Sequence, residues 1–411
     1  MQGLRENRKQ FYLLVLINAF VGSMVGLERS VIPGLGESFQ VSSHVALLSF
    51  IAAFGISKAI FNLVTGQLSK TFTRKQLLTA GWIAALPVPF LLMYADNWYW
   101  IIAANLLLGM NQGLAWSATV IMKIELVGEK QRGLAMGINE FAGYVAVGLA
   151  AFLASEIAAR YGFRFFPFLP GILFSIAGLL LTVFLVKDTS AHVSYEAGKS
   201  RVPLLHHIWK DTTFRHHNLG SVTVNGFINN LNDGVIWGLL PVLLLSKQFT
   251  MGQTGVLAAA YPVIWGLGQL FTGRLGDLFC KKQLITAGMI MQAAGLLLLA
   301  FAGNFPAGLV AMFLLGVGTA VVYPNFISVV AENTHPLQRA QTLGIFRFWR
   351  DTGYVAGALL AGWLADVIGV PAAFIVVAGL TGGAGIMAQV RMCCTLKTFW
   401  SNRRCAEVSA M

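Results

Sequence analysis

The sequence predicts an all-α membrane protein: twelve transmembrane helices in two pseudo-symmetric six-helix bundles. Three observations predict it. Charge is scarce, apolar runs are long and unbroken, and the chain repeats itself at a fixed offset. Of 411 residues, 56% are hydrophobic and 11% charged, with a mean hydropathy of +0.69. Ordinary soluble domains carry roughly 25% charged residues, so this composition is that of a chain dissolved in lipid. A span needs ~20 mostly apolar residues to cross a hydrocarbon core of ~30 Å, and runs such as 166–186 and 284–302 supply them. A transmembrane barrel would instead show alternating segments of ~10 residues with a polar lumen face.

In order, the spans fall near 11–33, 45–67, 76–95, 98–122, 133–157, 164–187, 219–245, 253–273, 283–303, 306–330, 342–365 and 371–391. One long polar connection, 188–218, separates the sixth from the seventh. The other joints are short, as antiparallel neighbours require. With the N-terminus in the cytoplasm, the inner segments hold 22 Lys and Arg and the outer ones 3 (Arg160, Arg164 and Lys247), while four lie within spans. That asymmetry predicts a multi-pass protein of the plasma (inner) membrane with both termini cytoplasmic. The same loops account for the net charge of +12 without nucleic acid as a partner. The start, MQGLRENRKQ, leads into an apolar stretch without a short h-region and an A-x-A-like site. It therefore reads as a retained first helix. Cys280, Cys393, Cys394 and Cys405 show no ligand spacing and fall on inner loops, which predicts reduced thiols.

The halves match at an offset of 207 residues. RKQLLTAGWI at 74–83 aligns with KKQLITAGMI at 281–290, LLG at 107–109 with 314–316, and Gln131-Arg132 with Gln338-Arg339. Gly137 aligns with Gly344, Gly162 with Gly369, and Asn18 and Phe20 with Asn225 and Phe227. An offset held across six spans predicts two bundles of equal design, 1–187 and 219–393, joined by a cytoplasmic loop, 188–218, and followed by a cytoplasmic tail, 394–411. Six spans per half make the repeats parallel, related by an axis along the membrane normal. Transporters built this way bind their solute near the midplane where the repeats meet.

The loop after the second span of each half carries a motif. The second half has Gly273, Asp277, Lys281 and Lys282 in the pattern G-x3-D-x3-K-K. The first half has Gly66, Lys70, Arg74 and Lys75 at the equivalent places. With Q-R-G-x-A-x-G at 131–137, these residues make the chain resemble the major facilitator superfamily over nearly its whole length. The resemblance implies a gating role for Asp277, Arg74, Lys75, Lys281 and Lys282. The first half departs from the pattern, since Lys70 replaces its aspartate. The fifth span has Gly143-Tyr144 and lacks the proline of the family's antiporter motif, so that motif does not support antiport.

Spans three, six, nine and twelve carry no charge and few amides, Gln292 and Gln389 being exceptions, whereas polar residues crowd the others. A charge in lipid costs on the order of 2.5–3.5 kcal/mol even on the milder scale, so these groups belong around a protein interior. The resemblance implies the same layout, with spans one, four, seven and ten lining a cavity. Arg347, Arg350 and Asp351 share one helical face at i, i+3, i+4. Gly353, Gly357 and Ala361 follow at small-xxx-small spacing, which permits close helix packing. Arg347 matches Glu140 at the repeat offset, and the intramembrane charges cancel: Arg29, Lys58, Arg347 and Arg350 against Glu28, Glu140, Asp233 and Asp351.

Two readings stand for these charges. In one, Arg350, Asp233, Asn229, Asn111, Gln112, Trp116, Tyr323, Asn325 and Lys58 contact a solute, while Asp351, Glu140, Arg347, Glu28 and Arg29 handle protons. In the other they are ion pairs that latch the halves, with Lys58 facing Asp351. Glu28 and Arg29 either mark the outer interface or, standing before Pro33, act as in related exporters of the resembled family. The histidines at 206–207 and 216–217 lack a ligand cluster, so no metal and no cofactor is expected. A basic amphipathic loop at the bilayer surface is the better reading of that segment.

No nucleotide-binding P-loop and no catalytic constellation appears, so a membrane enzyme is not expected. The function expected is secondary transport of a small polar anionic or zwitterionic solute by alternating access, with proton-coupled efflux preferred. The alternatives are a facilitator or importer without proton coupling, and a transporter-like solute sensor. The partners expected are a solute, protons and the bilayer, with the protein a monomer.

Overall fold

The computed structural model describes residues 3–29, 31–32, 35, 39, 44–128 and 131–393. Pro33 and the 394–411 tail lie outside them. The described chain is helical, with no strand. Twelve long helical segments follow in order: α1 Arg8–Arg29, α2 His44–Leu68, α3 Arg74–Ala85 continued by Pro87–Met93, α4 Trp98–Asn111 continued to Val127, α5 Arg132–Tyr161 and α6 Leu169–Leu185. Then come α7 His217–Ser246, α8 Met251–Leu278, α9 Lys281–Phe301, α10 Phe305–Glu332, α11 Arg339–Ile368 and α12 Val370–Arg391.

Ten of these are long and apolar enough to cross a membrane as they stand. The other two are α4, which a five-residue π-turn at Gln112–Trp116 interrupts, and α11, which carries Arg347, Arg350 and Asp351. α4 also runs past the expected end of span four. Lys123 and Glu125, placed by sequence in a loop, are helical and buried. Protein partners satisfy both charges inside the fold: Lys123 donates to the Leu14 carbonyl and Glu125 pairs with Arg74.

The chain forms two compact units. One holds 1–128 and 139–200, the other 129–138 and 201–411, so the first turns of α5 go with the second unit. Within the first unit α2 packs on α4, α3 on α4 and α6, and α1 on α6. Within the second, α8 packs on α10, α9 on α10 and α12, and α7 on α12. These are the same pairs at the repeat offset.

The local signals repeat too. Asn97 and Asn304 each lend a side-chain oxygen to the first turn of α4 and α10, satisfying an N–H the helix leaves orphaned. Gly162 and Gly369 follow α5 and α11 at φ of 86° and 87°, a conformation in which a Cβ is costly. Cys280 and Cys393 are both disulfide-bonded. This corrects the expected reduced thiols for these two, an expectation that rested on compartment alone; Cys394 and Cys405 lie outside the described residues.

α7 and α11 meet backbone to backbone. A Cβ on Gly353 or Gly357 would strike the carbonyls of Phe227 and Leu231, and one on Gly234 would strike that of Tyr354. The small-xxx-small reading of α11 therefore holds at these two glycines. Replacing Gly357 by Val is expected to cost about 1–3 kcal/mol through overpacking. Gly362→Val, where a Cβ meets open space, is expected to change little. Thermal unfolding of the two variants in detergent compares them directly.

At the start of α7, His216 Nδ1 accepts the Leu219 N–H at 3.3 Å, which requires a neutral imidazole. Burial lowers the His216 pKa below 6.5, the charge of His217 adds to this, and Asp211 opposes it. The folded state thus disfavours the proton relative to the unfolded chain. The cap's contribution is full above pH 6.5 and is lost as pH falls from there through the lowered folded value. His216→Asn keeps a capping oxygen that does not titrate. The stability difference between wild type and H216N is therefore expected to move in favour of H216N as pH falls from 7.5 to 5.

Candidate functional site

The second unit holds a dense polar cluster, drawn from α7, α8, α10 and α11. Asp233 accepts a hydrogen bond from the Tyr261 hydroxyl, which lies 3.2 Å from Thr319 Oγ1. Tyr261 stacks on Trp265 with ring centroids 5.9 Å apart, and Trp265 meets Tyr323 edge-on at 6.5 Å. Above the Tyr323 ring, 4.2 Å from its centroid, sits the Arg350 guanidinium. Arg350 donates to Asp351 Oδ1 at 3.1 Å, and Asn230 donates to the same oxygen at 3.3 Å. Arg347 reaches the Tyr323 hydroxyl at 3.5 Å. The result is an aromatic strip, Tyr261–Trp265–Tyr323, with a carboxylate at one end and a guanidinium at the other. All six of Asp233, Tyr261, Trp265, Tyr323, Arg350 and Asp351 are buried.

The amide-rich face of α7 divides. Asn230 and Asp233 join this cluster, but Asn229 and Asn232 turn toward α9 and α12. Thr381 donates to Asn232 at 2.8 Å, Asn232 to Gln292 at 2.9 Å, and Gln292 to Asn229 at 2.9 Å. Asn229, expected to touch solute, thus ends a chain of hydrogen bonds inside the unit. Gln292, on a helix expected to face lipid, is fully buried at its centre.

The first unit has a smaller cluster from α1, α4 and α5. Glu140 Oε1 accepts from Asn139 Nδ2 at 2.6 Å and from Trp116 Nε1 at 3.2 Å, while Oε2 has no donor. Asn18 donates to the Asn139 carbonyl at 3.3 Å and accepts from Thr119 at 3.0 Å. Trp116 and Glu140 are the repeat equivalents of Tyr323 and Arg347. The same aromatic–charge contact thus occurs in both units with opposite sign: an indole donor on an acid, a phenol acceptor on a base.

Glu28, in the last turn of α1, is completely buried with neither oxygen hydrogen-bonded. Arg29 lies 5.0 Å from the Phe54 ring centroid and Lys58 lies 5.8 Å from it, so one ring faces two cations. Asn111 donates to the Gly81 carbonyl and Gln112 to that of Val21, tying α4 to α3 and α1. Asn325 donates to Val321 O within α10.

Of the loop residues, Asp277 accepts the Gly133 and Leu134 N–H groups at 2.8 and 3.0 Å, so a carboxylate caps the first turn of α5. Arg74 pairs with Glu125 at 3.2 Å and Lys281 with Glu332 at 2.8 Å, and both acids stand at one repeat offset. Lys282 is buried nearby in sequence. Glu125 also accepts from Thr189, and Lys75 N donates to Asp188 at 3.3 Å. Burial alone would raise the Asp188 carboxyl. Donors from Ser190 and Lys75 outweigh it and hold the group below its ordinary value.

The family model described as Major Facilitator Superfamily matches residues 11–219 and 222–394. The chain belongs to the Major Facilitator Superfamily. A multi-drug resistance efflux pump PmrA homolog of Lactococcus lactis is 24% identical over 368 residues, 87% of this chain and 88% of that protein. The quinolone resistance protein NorA of Staphylococcus aureus is 26% identical over 143 residues, 35% of this chain and 37% of its own. The transporter FucP of the same superfamily, solved in its outward conformation, superposes with a TM-score of 0.75 at 17% identity, covering 93% of this chain and 98% of that one. This superfamily member is a multi-pass membrane transporter; its family and fold are those of transporters, not enzymes.

Sequence reasoning missed Tyr261, Trp265, Thr319, Glu125 and Glu332 in this facilitator. The two glutamates were findable, because 125 and 332 differ by the repeat offset. Tyr261 and Trp265 gave no such signal, since their equivalents are Phe54 and Lys58. The two ion pairs differ in burial: the Glu125 side chain is 1% exposed and that of Glu332 33%. Glu125→Gln leaves Arg74 buried and uncompensated and is expected to cost about 3–5 kcal/mol. Glu332→Gln also leaves a buried cation, Lys281, but removes an acid that is one-third exposed, so it is expected to cost less than Glu125→Gln. Thermal unfolding of the two variants checks the order.

Proposed function

We propose that this transporter exports a small anionic or zwitterionic solute by alternating access, in exchange for protons. It would work as a monomer of two six-helix bundles, 1–187 and 219–393, in the plasma membrane with both termini in the cytoplasm. The observation that carries the reading is the aromatic strip of the second unit with opposite charges at its ends. A planar solute bearing both signs is recognised by stacking along the rings, by Arg350 at one end and by Asp233 at the other. The names of the similar proteins, a multi-drug efflux pump and a quinolone resistance protein, support export and a flat amphoteric solute.

Proton exchange is supported by Glu140 and Glu28. Each is buried with a carboxylate oxygen that lacks a hydrogen-bond donor. Such an oxygen is where a proton is taken up and given back as the surroundings of the group change. Asp351 is supported as a coupling group by its place beside Arg350, where a proton on the acid would break the pair and release the base to the solute.

The test is flux in proteoliposomes with an imposed pH gradient, a zwitterionic fluoroquinolone being the solute. Asp351→Asn and Glu140→Gln are each expected to lower gradient-driven flux at least about tenfold, with solute binding retained. Unchanged gradient-driven flux in D351N would make Asp351 a latch. Absence of flux in the wild type, for this and for other solutes, would refute transport of this class.

A further inference from the structure

The segment between the two halves contains a patch outside the candidate site. Residues 204–216 are fixed to the second unit along their length. Leu205 and Gln338 exchange two hydrogen bonds, at 2.8 and 3.0 Å. Thr213 Oγ1 accepts from Trp349 Nε1 at 3.1 Å, and the Thr212 carbonyl accepts from Thr223 at 2.8 Å. The Phe214 carbonyl accepts from Arg391, the last residue of α12, at 2.8 Å. Gly220 in the first turn of α7 lies against Phe214, where a Cβ would not fit. These ties hold the segment where α7 begins and α12 ends, so it lies at the level of the membrane boundary.

What this segment turns outward is amphipathic. Leu204, Trp209 and Phe214 are 54%, 40% and 56% exposed, and Lys210 and Arg215 lie exposed between and beside them. The one acid of the segment, Asp211, accepts the His207 N–H at 3.0 Å through Oδ2, and Lys210 and Arg215 beside it leave a net positive charge. An aromatic and aliphatic surface interleaved with a net positive charge suits the headgroup layer: rings sit at the interface and Lys and Arg meet anionic phosphates. A soluble acidic protein would satisfy the cations but leave three large apolar side chains with no reason to be held outward at a helix-end level.

We propose that the 204–216 segment binds anionic phospholipid headgroups. The patch also touches the charged helix. Trp209 packs against Phe348 and Trp349 with ring centroids 5.8 and 6.0 Å apart, and the next residues of α11 are Arg350 and Asp351. Lipid held on this segment therefore bears on the turn of α11 that carries the ion pair.

The full chain is reconstituted in nanodiscs of phosphatidylcholine, with and without phosphatidylglycerol, and its thermal unfolding midpoint is read. Phosphatidylglycerol is expected to raise the midpoint of the wild type, and 0.5 M salt is expected to remove that rise. Each basic residue removed weakens headgroup binding about fivefold, so K210Q/R215Q is expected to bind about thirtyfold more weakly and to lose most of the rise. K210Q alone, at an exposed side chain, carries the same sign at about half the size should the double variant fold poorly. K199Q, which alters an exposed lysine of the other unit, is expected to keep the full rise. A rise retained in K210Q/R215Q and K210Q, or lost equally in K199Q, overturns the proposal. An equal rise with inorganic phosphate in detergent also overturns it, since that marks a general anion site.

Discussion

Hydrocarbon offers no partner to a charge or a hydrogen-bonding group, and this one constraint orders the structure. Lys123, fully buried on α4, donates to the Leu14 carbonyl. Lys247 gathers the carbonyls of Leu299, Ala300 and Ala302 at the end of α9, where the helix dipole favours a cation. Arg74 finds Glu125, and Arg350 finds both a carboxylate and the face of a tyrosine. Each charge pins its helix to a neighbour. Polar residues that would be liabilities in lipid become the ties between helices whose apolar surfaces gain nothing by choosing each other over lipid.

The two halves share this scaffold and differ in the chemistry placed on it. The Asn caps of α4 and α10, the glycines after α5 and α11, and the paired bases and acids of the loops all recur at the repeat offset. At four other pairs of positions the sides disagree: Glu140 against Arg347, Lys58 against Trp265, Lys70 against Asp277, and Ala85 against Gln292. A duplicated bundle needs the first set merely to fold. The second set changes the charge or polarity of a side chain while leaving the helix framework the same.

Most of the fold was legible because lipid makes the code simple: long apolar runs, basic loops on one side, and an offset that any reader can check. The charged face of α11 was legible for the same reason, since three charges in a span demand a partner. The geometry around them was not. Nothing in the string tells that Asn229 and Asn232 turn toward α9 and α12 while Asn230 and Asp233 turn elsewhere. Residues 229 to 233 wind through more than a full turn, and which side meets lipid depends on tertiary packing. The π-turn at Gln112–Trp116 has no sequence signature, yet it sets how Gln112 reaches α1 and Trp116 reaches Glu140. Cys280 and Cys393 show the limit of compositional reasoning, which reads compartment but not proximity.

The close seating of α7 against α11 places the charges of the candidate site on one packed unit. Gly234, Gly353 and Gly357 bring the two backbones together without intervening side chains, so neither helix can rotate without lifting off the other. Asp233 and Asn230 on α7, and Arg347, Arg350 and Asp351 on α11, therefore sit on one closely packed helix pair. The aromatic strip belongs to α8 and α10. A shift between these two pairs of helices changes how Arg350 lies over Tyr323 and how Asp233 meets Tyr261, and it does so without separating Arg350 from Asp351. Only a change in the charge state of the pair itself, or a competing charge brought in by a solute, acts on that bond. In the proposed cycle, packing holds the helix pair together and electrostatics is the variable that acts on it.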